Sequence, residues 1–123
     1  MKEAAITDKI LRAATLVHRH LGPGLLESAY EHCLCFELLD SGLNFERQKP
    51  LPINYKGVLL DCGYRMDIIV EGKVLIEIKS VDKLHPIHIA QLMTYLKLSK
   101  IEVGLLLNFN STTLKDGIVR RVM

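Results

Sequence analysis

The chain has 123 residues, enough for one domain with a substantial core, so residues 1–123 are read as a single domain. Apolar residues make up 49% and charged residues 24%, ordinary globular values, and the net charge of +2 permits nucleic-acid binding without demanding it. No stretch approaches the roughly 18 consecutive apolar residues of a membrane span, and Lys2, Glu3, Asp8 and Lys9 argue against a signal peptide, so a cytoplasmic protein with no membrane partner is expected.

Residues Glu3 to about His20 carry Ile6, Ile10, Ala13, Ala14 and Val17 at helical spacing, and Leu21-Gly22-Pro23-Gly24 breaks that helix. A second helix is expected from about Leu25 to Asp40, with Leu26, Tyr30, Leu34 and Leu38 on one side and Ser41-Gly42 as its stop. Three cysteines without a secretory context argue against a disulfide framework. Cys33 and Cys35 point to different sides of that helix, a poor metal pair. From Asn44 to Asp61 the chain reads as extended: Phe45 to Lys49, a break at Pro50 and Pro52, Ile53 to Lys56, a turn at Gly57, then Val58 to Leu60.

Next come Tyr64–Val70 and Lys73–Lys79, two β-branched-rich runs around Glu71-Gly72 that read as a hairpin. Pro86 suits a first helical position, and a helix is expected to reach about Leu98. Ile101 to Asn108 is nearly continuous apolar sequence, as in a buried strand, and Asp116-Gly117 turns the chain into a last strand, Ile118 to Val122. The order predicts an α/β fold, a mixed sheet with an antiparallel meander flanked by helices.

The hairpin carries the candidate chemistry. Glu77 and Lys79 share one face, roughly 6.6 Å apart along the strand, while Val74, Ile76 and Ile78 form the core face. Whether Asp67 joins them depends on register. A two-residue loop at Glu71-Gly72 sets Asp67 opposite Ile76, on the wrong face, and needs positive φ at a glutamate. A three-residue loop, Val70-Glu71-Gly72, pairs residue 69 with 73 and sets Asp67 opposite Leu75. Asp67 and Glu77 are then diagonal neighbours, about 7–8 Å apart at Cα, and both reach one cation.

Two neighbouring carboxylates repel, and a divalent cation such as Mg²⁺ relieves that repulsion. The competing reading is an Arg65–Glu77–Lys79 salt-bridge ladder on a solvated face. Glu27, in the first turn of its helix, complements the helix dipole or closes a cap, yet it shares a face with Tyr30 and Glu31 that leaves an active-site role open. His88, Gln91 and Tyr95 fall at i, i+3 and i+7 on the later helix, either a structural hydrogen-bond network or a stripe aimed at the acids or a phosphate. His85 and His88 lack a third nitrogen or sulfur ligand for a transition metal. The basic residues form no single tract, and scattered surface charge is the simpler reading.

Asp67 followed by Glu77-Ile78-Lys79 resembles the PD-(D/E)XK nuclease motif, an acid on one strand and acid-x-Lys on the next. Gln91-Leu92-Met93-Thr94-Tyr95 resembles the Q-x-x-x-Y helix motif of its exonuclease-like branch, and Gly24-Leu25-Leu26-Glu27-Ser28-Ala29-Tyr30 matches the motif of the GxxExxY protein family. The likeness runs from about Leu21 to Val122. It implies a restriction-endonuclease-like core in which Asp67 and Glu77 bind Mg²⁺ (or Mn²⁺), Lys79 assists the attacking water, and Glu27 and Gln91 complete the catalytic set. Tyr30, Tyr95 and His88 are its candidate supports for the site or the substrate. The expected activity is hydrolysis of phosphodiester bonds in nucleic acid, with DNA the expected substrate. The alternative is a catalytically silent module of the same fold that binds nucleic acid or protein. So small a nuclease grips little DNA alone, and the apolar Ile87–Leu98 helix points towards a homodimer.

Overall fold

The N-terminal spacing forms helix α1 (Ala4–Leu21), which buries Ile10, Ala13, Ala14 and Val17 in the computed structural model describing residues 1–123. Those residues follow the i, i+3, i+4, i+7 stripe that a helix turns towards a core. Helix α2 (Glu27–Asp40) begins two residues later than the apolar spacing suggests. The Tyr30 hydroxyl accepts a hydrogen bond from Leu25 N at 3.1 Å and donates one to Gly22 O at 2.6 Å, which holds the preceding loop out of helical geometry. Leu26, expected on the apolar side, is instead the N-cap residue and lies exposed.

Strands β1 (Phe45–Pro50), β4 (Arg65–Val70), β5 (Val74–Lys79), β6 (Val103–Asn108) and β7 (Ile118–Val122) form one five-stranded sheet in the order β1-β4-β5-β6-β7. β1, β4 and β5 make the antiparallel meander, and helix α3 (Pro86–Ser99) carries the chain from β5 to its parallel neighbour β6. Of the extended run expected from Asn44 to Asp61, β1 joins that meander, but β2 (Ile53–Tyr55) and β3 (Val58–Leu60) pair only with each other, as a small hairpin between β1 and β4 in the chain. Their side chains are largely exposed, so no buried face exists to draw them into the main sheet.

The sheet has a core on each face. Ile68, Val70, Val74, Ile76 and Ile78 join α1 and α2 on one side, and Ile69, Leu75 and Leu106 meet Leu92 and Leu96 of α3 on the other. Each such buried side chain contributes about 1.5–3 kcal/mol. α3 lies close to β6 because Gly104 has no side chain; a Cβ there would come within 2.9 Å of a Leu92 methyl carbon and 3.0 Å of a Leu96 one. That approach brings the α3 residues Gln91 and Tyr95 over the end of β5. No helix is long and apolar enough to cross a membrane.

The register around Gly72 differs from the expectation by two residues. The loop is Glu71-Gly72-Lys73, with Val70 opposite Val74, Ile69 opposite Leu75 and Ile68 opposite Ile76. Glu71 adopts φ 54° and Gly72 φ 66°, the left-handed pair that a glutamate was expected to refuse. Asn44, just before β1, overrides that preference: Glu71 N donates to Asn44 O at 2.9 Å, and Asn44 N donates to Glu71 Oε2 at 2.7 Å. One further step along this register sets Asp67 directly opposite Glu77, closer than the diagonal arrangement expected.

Candidate functional site

β4 and β5 part company just beyond Ile68 and Ile76. Their ladder ends at that pair, yet β4 stays bonded to β1 as far as Arg65 and β5 to β6 as far as Lys79. Two carboxylates fill the fork. Asp67 N donates to Glu77 Oε2 and Ile78 N donates to Asp67 Oδ2, each at 2.8 Å, so each acid takes an amide that an unbroken ladder would have used. The alternation of faces also slips here: Met66 and Ile69 both reach the α3-side core, which strict period-two spacing forbids. Opposite this slip, Gln48 has φ 49°, and its Nε2 donates to Asp67 Oδ1 at 3.3 Å and to Glu31 Oε1 at 2.8 Å.

Burial makes this pair of acids expensive to ionise. Desolvation, reinforced by the charge of Asp67, pushes the Glu77 carboxyl up to about 8, against the pull of the Asp67 amide and the Lys79 ammonium. Asp67 is raised as well, first by desolvation and then by Glu31, while Ile78 N–H, Gln48 and Lys79 oppose the rise. Such a pair holds a proton or attracts a cation. Each carboxylate commits one oxygen to a backbone amide, and Glu77 Oε1 accepts no hydrogen bond.

Lys79 reaches towards α3, where its Nζ lies 3.5 Å from Gln91 Oε1, and Gln91 Nε2 donates to the Tyr95 hydroxyl at 3.3 Å. Desolvation and the nearby Glu77 charge raise the Tyr95 phenol. Two residues of the stripe, Gln91 and Tyr95, thus form a chain with Lys79 beside the acids. His88 does not join them. Its Nδ1 accepts the His85 amide at 3.0 Å and closes the N-terminus of α3.

Glu27 and Tyr30 act on the backbone beside the site. Glu27 Oε2 accepts the Ser80 amide at 3.2 Å, and Ser80 Oγ donates to Leu25 O at 2.6 Å, so the α2 loop grips the residue that follows Lys79. Tyr30 is fully buried, stacked on Phe109 at 4.6 Å, with its hydroxyl committed to that loop. Its hydroxyl therefore acts on the loop before α2. From the other side, Phe109 N donates to Lys79 O at 3.0 Å, and buried Asn108 bonds both the N–H and the C=O of Val81.

Sequence reasoning gave no role to Glu31, Gln48 or Asn108. Glu31 is buried and holds Arg47 (2.7 Å from Nη2) as well as Gln48, and its charge bears on both acids. The only available signal was its place on the helical face of Glu27 and Tyr30. The Arg65–Glu77–Lys79 ladder does not form; Arg65 lies 3.6 Å from Asp61 instead.

No group of three or more His, Cys, Asp or Glu side chains converges in a way that could hold a metal ion. A four-ligand zinc site is therefore not built here. Two hard carboxylates, one with an uncommitted oxygen, do suit Mg²⁺ or Mn²⁺, which take one or two carboxylates and complete their shells with water and phosphate oxygens. The family model of the PD-(D/E)XK nuclease superfamily matches residues 4–122. The chain belongs to that superfamily. The five-stranded mixed sheet flanked by helices accords with the restriction-endonuclease-like fold of PD-(D/E)XK proteins, which generally use divalent metals. No curated protein and no solved structure matches the chain.

Proposed function

We propose that the chain is a Mg²⁺- or Mn²⁺-dependent nuclease that hydrolyses phosphodiester bonds, with DNA as the expected substrate. The observation that carries this reading is the pair of buried acids in the β4–β5 fork, each fixed by the other strand's backbone, with the Lys79 ammonium beside them. Asp67 and Glu77 would hold the metal. A bound divalent cation supplies Lewis-acid polarisation of the phosphate and lowers the pKa of a water.

The chain's own residues do the rest. Lys79, restrained by Gln91, orients the attacking water and offsets charge on the phosphate. Tyr95 fixes Gln91 from below, while Glu27 and Asn108 hold the Ser80–Val81 backbone so that Lys79 keeps its aim. Glu27, which holds the Ser80 amide, and Tyr30, which ties down the loop before α2, support placing the chain in the GxxExxY group of the superfamily.

Incubation with single- and double-stranded DNA and RNA, with and without Mg²⁺ or Mn²⁺, tests the proposal beside Glu77→Ala and Lys79→Ala. Metal-dependent cleavage lost in both variants supports it. Cleavage indifferent to both would be contamination, and tight binding without cleavage in any metal would make the protein a silent binding module.

A further inference from the structure

A groove of about 730 Å³ opens beside the site, between α3 and the segment that carries the β2–β3 hairpin into β4. That volume lies within the ~300–1,000 Å³ typical of small-molecule sites. Ile53 and Tyr64 line one wall, and Ile87, Thr94 and Leu98 the other. No lysine, arginine, aspartate or glutamate lines it. Its floor is shared with the site: Gln91, which contacts Lys79, and Tyr95 both border it. Tyr64 packs T-shaped against Tyr95, ring centroids 6.1 Å apart and planes at 71°, and is 44% exposed.

We infer that this groove receives unstacked nucleobases next to the scissile phosphate, with Tyr64 as a stacking platform, so that the preferred substrate is a single strand. The inference rests on the nuclease reading and names its substrate class. Three observations carry it. The groove is continuous with the site through the Lys79–Gln91–Tyr95 chain, so whatever fills it adjoins the reacting phosphate. Its walls are apolar and aromatic, with the amide of Gln91 and the hydroxyl of Thr94 able to meet base edges, whereas phosphates need cations. A net charge of +2 without a basic tract is poorly matched to the two phosphate rails of a duplex, while base stacking needs little charge.

Fluorescence anisotropy in EDTA, on the full chain, compares a labelled oligothymidylate, the same strand with a central run of abasic sites, and a blunt duplex of equal length. The single strand is expected to bind at least about tenfold tighter than either of the others, the scale of one lost stacking contact. Tyr64→Ala lowers its affinity by about tenfold, and Tyr64→Phe restores it. Ile87→Glu, at a position 70% exposed and safe for folding, weakens the single strand without altering the melting temperature. Equal binding of abasic and intact strands, equal binding of duplex, or indifference to Tyr64→Ala and Ile87→Glu overturns the inference. So does a dimer in light scattering that Ile87→Glu dissociates with single-strand affinity unchanged, because a second copy then covers the groove. Base-dependent binding without hydrolysis in Mg²⁺ or Mn²⁺ would instead sink the nuclease reading and leave this one standing.

Discussion

The two halves of the β4–β5 hairpin use the same strands for opposite purposes. From Ile68 and Ile76 to the turn, the ladder is closed and its side chains feed the cores on both faces. From Asp67 and Glu77 outwards it is open, and carboxylates replace backbone partners. The closed half makes stability, since apolar burial is favourable and its ladder is intact from Ile68–Ile76 to Val70–Val74. The open half gives some back, since buried acids are desolvated and repel. On the proposed reading a bound cation offsets that cost. The contrast also explains why the acids are so well placed: a rigid, closed ladder a few residues away fixes where the fork begins.

The largest expected effect separates the halves by chemistry. Glu77→Ala and Lys79→Ala each lower metal-dependent hydrolysis by about 10³-fold or more in a steady-state cleavage assay. Ile76→Ala, one residue away but in the closed half, instead lowers stability by about 2–5 kcal/mol in urea unfolding, as a fully buried side chain should. A Glu77→Ala variant that unfolds like Ile76→Ala and keeps its activity would break the contrast.

A smaller effect concerns the support of Asp67. Gln48→Ala removes the donor that spans Glu31 and Asp67 and should reduce the cleavage rate by about 10- to 100-fold, the usual range for groups that orient a ligand. Gln48 is exposed, so the urea midpoint should hardly move.

The pH dependence sharpens the comparison further. Glu77 is raised from 4.5 to about 8, so the folded protein keeps a proton that the unfolded chain releases. The resulting stabilisation is fully present below about pH 4.5 and is lost as pH rises through about 8. In EDTA, the melting temperature of the wild type should therefore fall more between those limits than that of Glu77→Gln, and Mg²⁺ should recover most of the difference at the alkaline end. Parallel curves for the two proteins would contradict the account of the open half. The smallest effect lies at the turn. Glu71→Asn suits the left-handed backbone but loses the carboxylate bond to Asn44, and the balance should stay within about 1 kcal/mol with hydrolysis unchanged.

Much of this was legible from residue order. Val74, Ile76 and Ile78 alternate as a core strand must, and Pro86 opens its helix as the pyrrolidine geometry predicts. Lys79, Gln91 and Tyr95 converge because strand and helix periods are regular. The register was not legible, because the left-handed Glu71 is held by Asn44, a partner 27 residues away. Local turn preferences carry no record of such a contact. Glu31 and Gln48 were given no role of their own for the same reason, their meaning arising only where α2 and β1 meet the fork. Tyr30 and His88 show what helical spacing leaves unsaid: each also makes a hydrogen bond to nearby backbone, Tyr30 to Gly22 O and His88 with the His85 amide.

The most direct test of the fork as a cation seat is Mn²⁺ binding followed by electron paramagnetic resonance at mildly alkaline pH, on the wild type, Asp67→Ala and Glu77→Ala. One Mn²⁺ per chain in the wild type, with affinity lost in both variants while their circular dichroism spectra stay native, is the predicted result. Mn²⁺ binding unchanged by either substitution, or absent from the wild type altogether, would contradict it.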